Sequence, residues 1–179
     1  MPESIKKIIN ESNPPAIILI FGEEEFLISK ATEVLINKFT NPPISYLFEK
    51  YDGNEVSLED VANFANTSSF FGDKKILLIK DFDKSIGKIQ KKNIENSRFY
   101  NYLLNPNENT MLVLQSNNTN LNGLTKSKTK STNLTYPYNI ITQKYVWIEY
   151  PKVWQSDYES WVRKTAKNMK LEIDPEASQ

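Results

Sequence analysis

Residues 16–28 have the order of residue types found where α/β proteins bind phosphate. An apolar run ends at Gly22, and a helical pattern follows directly. A strand that turns through glycine into a helix presents backbone N–H groups to a phosphate. A working phosphate loop has several glycines and usually a Lys-Ser/Thr pair, whereas Glu23, Glu24 and Glu25 occupy the start of this helix. Because these carboxylates complement the helix dipole and repel phosphate, the sequence predicts a nucleotide-binding architecture without its ligand, and hence a binding subunit.

Acidic residues at two places have the chemistry to hold a divalent metal. Glu23, Glu24 and Glu25 are consecutive, and consecutive helical side chains point about 100° apart, so they cannot converge on one ion. Asp81 and Asp83 follow a central strand, where α/β proteins often place magnesium ligands. Because no phosphate loop lies opposite them, we do not expect catalysis there. We predict neither a metal nor a cofactor.

The composition excludes most conventional active sites. The 179-residue chain has no cysteine and no histidine. It therefore lacks a thiolate nucleophile, a Ser-His-Asp arrangement and the ligands of most transition metals. Its 22 basic and 22 acidic residues balance, so bulk charge does not favour nucleic acid or an anionic membrane. A polar N-terminus, and the lack of any apolar run near the ~20 residues of a membrane helix, predict a cytoplasmic protein.

Apolar runs and turn residues predict strands that alternate with helices. The predicted strands are residues 16–22, 44–51, 74–80, 110–115 and 145–150. The predicted helices are residues 23–39, a helix after Ser57, one that ends near Asn105-Pro106, and one after Ser156. Such alternation produces right-handed crossovers and a mostly parallel sheet. The expected fold class is α/β, with residues 1–150 as one domain and 151–179 as a linking helix and the truncated start of a second domain.

Residues 116–144 differ in composition from the rest of the chain. Asn, Thr, Ser and Lys fill most of this stretch. Such a segment cannot bury enough apolar area to offset the entropy lost on ordering it. We predict a long surface excursion, mobile in part, around an anchor at Tyr136-Pro137-Tyr138.

A series of short motifs runs along the chain. They are Phe21-Gly22-Glu23-Glu24-Glu25-Phe26-Leu27-Ile28, Tyr51-Asp52-Gly53 with Ser57-Leu58-Glu59, residues 70–80, Asn105-Pro106 before residues 110–114, residues 161–167, and residues 171–177. In this order and spacing they resemble the delta subunit of bacterial DNA polymerase III, a clamp-loader subunit. Residues 116–144 depart from the family pattern because they are longer and richer in Asn and Thr.

The resemblance implies a RecA-like, P-loop-type three-layer domain of the clamp-loader AAA+ family, with a degenerate phosphate loop. The chain would end as a helical lid domain begins. A full-length family member continues into a helical collar domain, which joins the gamma/tau and delta prime subunits. The protein is then expected to be a non-catalytic subunit of a DNA-directed DNA polymerase, a nucleotidyltransferase holoenzyme. It would reach DNA through the complex and would not hydrolyse ATP.

The resemblance also implies a binding site for the sliding clamp, the beta subunit. In the family, a hydrophobic tip before the central strand enters a pocket on the ring-shaped clamp and destabilises one ring interface. The matching residues are Phe70 and Phe71, flanked by Ser68, Gly72 and Asp73. Each aromatic ring buries about 150–250 Å² when docked. The alternative is that both rings pack under the following strand as ordinary core.

Two lysine clusters and three tryptophans allow further interpretations. The clusters are Lys88, Lys91 and Lys92, and Lys126, Lys128 and Lys130. Such clusters are usually solvated faces, and some contact DNA phosphate. The tryptophans are Trp147, Trp154 and Trp161. We predict that they pack between the sheet and the following helix, with base stacking as the alternative.

Three functions compete on the sequence. The leading one is a non-enzymatic clamp-loader subunit that binds the sliding clamp and biases the ring towards opening. The second is a nucleotide-dependent enzyme with an atypical phosphate site. The third is a generic DNA-binding α/β module, against which the neutral net charge argues.

Overall fold

The computed structural model describes residues 14–42, 46–67, 74–87, 94–126 and 133–153, together with single helical positions near both ends of the chain. The strands are β1 (Ile17–Gly22), β2 (Leu47–Asp52), β3 (Lys75–Lys80), β4 (Thr110–Ser116) and β5 (Val146–Tyr150). The helices are α1 (Glu25–Thr40), α2 (Leu58–Asn66), α3 (Phe82–Ser85), α4 (Arg98–Leu104) and α5 (Tyr138–Lys144). Two 3-10 turns, Thr119–Leu121 and Leu124–Lys126, follow β4.

The five strands form one sheet in the order β2-β3-β4-β1-β5. Every neighbouring pair is parallel, which confirms the predicted α/β class. Strands β1 and β4 are buried along their whole length, as expected for apolar runs that are covered on both faces. Strand β2 lies at an edge and is mostly exposed or half-buried.

Helices cover both faces of the sheet, so the domain has three layers. On one face, here called the α2 face, Leu19 and Phe21 of β1 pack into a core with residues of α2, α4 and α5. On the opposite face, the α1 face, Ile18 and Ile20 pack against α1 and against Ile5. The alternation of side chains along each strand produces these two cores. Strand β1 therefore contributes to both cores at once.

Most predicted boundaries agree with the structure to within a few residues. Helix α1 begins at Glu25, after Glu23 and Glu24, and it ends at Thr40 before the predicted stop at Asn41. Strand β2 begins at Leu47, later than predicted. Within the part of the chain that the structure describes, no helix is both long and apolar enough to span a membrane.

The prediction for residues 116–144 is wrong in part. The segment contains helix α5, and Leu121, Leu124 and Ile141 are buried in the α2-face core. The Glu149 carboxylate of β5 organises this packing: it accepts hydrogen bonds from the Gly123 N–H and, at 2.9 Å, from the Thr125 N–H. Internal hydrogen bonds to a buried carboxylate therefore supply order that the polar composition alone does not indicate. The predicted anchor is confirmed, since Tyr138 is 3% exposed.

Helix α2 begins after Ser57, as the sequence predicts, and its first turn has a reciprocal cap. The Asp60 N–H donates to Ser57 Oγ at 3.2 Å, and the Ser57 N–H donates to Asp60 Oδ2 at 2.9 Å. The Ser57 hydroxyl and N–H donate to Asp60 and hold the pKa of that carboxyl below its usual value of 3.8. The stabilisation by the charged carboxylate is therefore complete above the usual pKa and is lost as the pH falls through the lowered one.

Replacing Ser57 by alanine should lower the free energy of unfolding by about 1 kcal/mol near neutral pH, because an N-terminal N–H of α2 loses its acceptor. Urea unfolding of both proteins measures the difference. The difference should shrink in acid below the pKa of Asp60. A difference that does not change with pH would contradict the role given to the Asp60 carboxylate.

Candidate functional site

The turn between β1 and α1 is short and closely packed against β5. Only Glu23 and Glu24 separate Gly22 from the first residue of α1. Gly22 has φ 139°, and a Cβ atom added to it would lie 2.0 Å from the Tyr150 carbonyl oxygen. The Glu23 N–H donates to that same oxygen at 3.0 Å. A backbone N–H that could face a phosphate is therefore used by β5.

The three glutamates at this turn have different surroundings, and only Glu25 belongs to the helix, whereas the prediction placed all three on it. Glu23 and Glu25 are exposed, whereas Glu24 Oε1 accepts a hydrogen bond from the Val153 N–H at 2.8 Å. A carboxylate near a helix N-terminus is stabilised by the helix dipole. Glu24 thus places a negative charge of the protein itself at the mouth of the turn and ties α1 to the chain after β5. Among the described residues, no cluster of three acidic side chains could hold a metal ion.

Asp81 and Asp83 connect the ends of β3 and β4. Asp83 Oδ1 accepts from the Ser116 hydroxyl at 3.0 Å and from the Asn117 N–H at 3.2 Å. Asp81, which has φ 48°, accepts from the Asn117 side chain at 3.2 Å. These contacts join the two strand ends where a nucleotide-binding α/β protein has its crevice. The carboxylates serve as hydrogen-bond acceptors in this network.

A buried tyrosine completes the same network. The hydroxyls of Ser116 and Tyr138 lie 2.9 Å apart. Burial raises the pKa of Tyr138 far above its usual value of 10.0, and the Ser116 hydrogen bond opposes part of that rise. Tyr138 therefore remains neutral at physiological pH and acts as a hydrogen-bonding core residue.

The predicted clamp-binding residues Ser68, Phe70, Phe71, Gly72 and Asp73 lie outside the described residues. The structure describes both flanks of that segment, which are the end of α2 and the start of β3. At the first flank, the Thr67 N–H and hydroxyl both donate to the Asn63 carbonyl oxygen, at 3.0 and 2.8 Å. At the second flank, the Lys74 carbonyl oxygen accepts from the Leu47 N–H at 2.9 Å. Both residues that flank the segment are therefore held by hydrogen bonds.

Other predicted residues are described only in part. Lys88, Lys91, Lys92, Lys128, Lys130, Trp154 and Trp161 lie outside the described residues. The backbone of Lys126 belongs to a 3-10 turn. Trp147 packs against Phe21, with ring centroids 5.9 Å apart, and donates its indole N–H to the Thr142 carbonyl oxygen at 3.1 Å. This packing agrees with the structural interpretation of Trp147.

The sequence analysis missed a groove on the α1 face. It has a volume of about 590 Å³ and lies between α1 and the strands β2 and β3. Its lining includes Phe48 and Lys50 of β2, Leu78 of β3 and Gln115, which donates to the Thr32 hydroxyl at 2.7 Å. The alternation of Phe48 and Lys50 along an edge strand is the signal that places both on one face.

The five-stranded parallel sheet with helices on both faces defines the class of this protein, a three-layer α/β domain. Residues 18–139 match the family model described as DNA polymerase III, delta subunit. Because this match spans more than half of the 179 residues, the chain belongs to the DNA polymerase III delta subunit family. No match was found among curated protein sequences.

Several solved structures have a similar fold. The Bacillus subtilis DNA clamp loader delta protein has a TM-score of 0.65 and 16% identity, with 97% of this chain and 49% of that one covered. A DNA polymerase III gamma subunit-related protein of Thermotoga maritima has a TM-score of 0.52 and 17% identity, with coverages of 94% and 52%. A Thermotoga maritima RuvB variant has a TM-score of 0.56 and 10% identity, with coverages of 98% and 51%. The chain thus spans about half the length of these proteins.

Proposed function

We propose that this chain is the clamp-binding module of a clamp-loader delta subunit, and that it neither binds nor hydrolyses ATP. The observation that carries the proposal is the closed β1–α1 turn. Gly22 packs against the Tyr150 carbonyl group, the Glu23 N–H donates to it, and Glu24 adds a carboxylate at the same mouth. At this turn a triphosphate would find the Glu23 N–H already hydrogen-bonded, and the Glu24 carboxylate would repel it.

The work of such a module is to shift an equilibrium of its partner. A binding protein can shift the open and closed forms of a ring only by its difference in affinity for them. We propose that residues 68–73 bind one protomer of the sliding clamp through Phe70 and Phe71, and that they bind the open ring more tightly. ATP would then be bound by other subunits of the loader, which this chain would join through segments beyond the α/β domain.

The test is calorimetric titration of the purified chain with the sliding clamp of the same organism. We expect saturable binding with the same affinity in the presence and absence of Mg-ATP. Mg-ATP titrated alone should give no heat of binding, because the Glu23 N–H already donates to the Tyr150 carbonyl oxygen and Glu24 places a carboxylate beside the turn. A saturable heat of binding with Mg-ATP would support the nucleotide-dependent enzyme instead. Salt-dependent binding to duplex DNA, without clamp binding, would support the DNA-binding module.

A further inference from the structure

Strand β2 is the outermost strand on one side of the sheet, next to β3. The Leu47 N–H donates to the Lys74 carbonyl oxygen at 2.9 Å. Because alternate residues of a strand direct their backbone N–H and C=O groups to opposite sides, Phe48 and Lys50 direct theirs away from β3. Within the described ranges, no hydrogen bond reaches these groups of Phe48 or Lys50. The backbone of β2 is therefore an open edge.

The open edge has apolar side chains on both faces of the sheet. Phe48 lies on the α1 face and is 43% exposed, whereas Leu47 lies on the α2 face and is 45% exposed. Two of the four large apolar side chains that are exposed in the described part of the chain are thus neighbours on one strand. Native edge strands are usually protected by proline, a bulge or a covering element, and β2 contains no proline. A strand added beside β2 would bury both side chains.

The groove on the α1 face lies beside this edge. Its α1 wall extends from Ser29 to Thr40, which is about 16 Å of helix. An extended segment of about five residues has the same length. Those side chains of an added strand that point to the α1 face would lie beside Phe48 and Lys50, at the rim of the groove. The surface therefore accommodates an extended segment whose alternate side chains enter the groove.

The charge of this surface favours an acidic segment. Lys50 and Lys80 both line the groove, and neither forms an ion pair with another described residue. Glu33, the acidic residue of the lining, is instead paired with Lys30 at 2.9 Å. An acidic side chain of a partner would form ion pairs with the two lysines, whereas a basic segment would be repelled.

Asp52, the last residue of β2, belongs to the turn that follows. The Asn54 N–H and side-chain amide donate to its Oδ1 at 2.8 and 2.7 Å. These hydrogen bonds are the main reason that the pKa of Asp52 lies below its usual value of 3.8, and the charges of Lys80 and Lys50 contribute less. Asp52 therefore stabilises the turn, and the two ammonium groups remain available to a ligand.

We propose that β2 is a docking edge for an extended acidic segment of a partner protein. The segment adds to the sheet beside β2, forms backbone hydrogen bonds with Phe48 and Lys50, and places an apolar residue beside Phe48. Two positions along the segment, a carboxylate lies near Lys50 and Lys80. In strand addition, main-chain hydrogen bonds provide affinity and alternate side chains provide specificity. The inference is independent of the proposed function, because neither the β1–α1 turn nor residues 68–73 take part.

The first test uses a peptide of seven residues with blocked ends, Thr-Val-Val-Thr-Glu-Val-Thr, in which a valine and the glutamate lie two positions apart on one face. Fluorescence anisotropy of the peptide, labelled with an uncharged dye, measures its binding to the unaltered chain. We expect saturable binding, and binding about tenfold weaker for the same peptide with lysine in place of glutamate. No saturable binding, or equal binding of the two peptides, would overturn the inference.

Methylation of the peptide backbone tests the proposed hydrogen bonds. One version is methylated on alternate backbone nitrogens, and a second version on the intervening ones. Only one of these two sets can face β2, so one version should lose binding and the other should keep most of it. An equal effect of both methylation patterns would contradict strand addition.

Lys50→Glu reverses the charge at the edge, at an exposed position. We expect it to weaken binding of the glutamate peptide about tenfold and to strengthen binding of the lysine peptide. Lys144→Glu makes the same change at an exposed position of α5, on the opposite face, and should leave both affinities unchanged. Equal weakening by the two variants would overturn the inference. So would a dimer of the unaltered chain, detected by sedimentation, that Lys50→Glu abolishes, since the edge would then bind a second copy.

Discussion

Replacing Phe70 and Phe71 together by alanine should weaken binding to the sliding clamp by about 100-fold, which corresponds to about 3 kcal/mol. Central aromatic anchors dominate the energy of protein interfaces because they fill fully desolvated pockets. The proposal gives this role to these two rings. Titration calorimetry or surface plasmon resonance with the clamp of the same organism measures the change.

Phe26→Ala is the matched control for this prediction. Phe26 lies on α1 and is 51% exposed, so its loss removes one aromatic ring from a different part of the surface. We expect its clamp affinity to equal that of the unaltered chain. Unchanged affinity in the Phe70/Phe71 variant would reject the proposed site. If the Phe70/Phe71 double variant loses several kcal/mol in its free energy of unfolding, the alternative that both rings belong to the core is favoured instead.

Gly22→Ala should destabilise the domain by about 3 kcal/mol or more, because it combines overpacking with backbone strain. The new Cβ atom would lie 2.0 Å from the Tyr150 carbonyl oxygen, at a backbone φ of 139°. Strand β1 cannot shift to relieve the clash, since it is paired with β4 on one side and β5 on the other. Urea unfolding measures the loss, and a variant that does not fold would agree with it.

Gly87→Ala separates the two causes. Gly87 also has a positive φ, of 56°, but no heavy atom lies within 4 Å of its added Cβ. Its substitution should therefore cost only the strain of that backbone conformation, about 1 kcal/mol. If Gly22→Ala were no more destabilising than Gly87→Ala, the close packing of β1 against β5 would not be what closes the turn.

The strands were predictable because each is a short apolar run with clear turn residues at its ends. In β1, five consecutive apolar residues precede Gly22, and a strand that is buried on both faces requires this pattern. Helix α2 was predictable from Ser57 and Asp60, because the cap involves residues only three positions apart. Information of this kind is local in the sequence, so it can be recognised without the fold.

The order in residues 116–126 and 133–144 was not predictable because its causes are distant in the sequence. Glu149 accepts from Gly123 and Thr125 across more than twenty residues. Leu121 and Leu124 are isolated among polar residues, and only the assembled α2 face shows that they are core. Composition gives the average polarity of a segment, whereas the packing of this segment depends on a few apolar side chains.

In the candidate site, too, local features were predictable from the sequence and contacts between distant residues were not. The charge of Glu23, Glu24 and Glu25 is evident in the sequence, and from it we predict that the turn opposes phosphate. The contact of Glu24 with Val153 is not evident in the sequence, because the two positions are 129 residues apart. The hydrogen bond from Lys75 to the Phe64 carbonyl oxygen was missed for a similar reason, although a lysine at the start of an otherwise apolar strand is a signal to look for.

The contact of Glu24 with Val153 has a consequence for timing. A bound nucleotide can be cleaved or released. A contact between two elements that depends on a nucleotide can therefore form and break during a reaction cycle. A glutamate side chain is permanent, so the junction between α1 and the chain after β5 has the same anion in every step. We therefore expect this module to keep one conformation at that junction throughout clamp loading, and any alternation in time must be set by its partners.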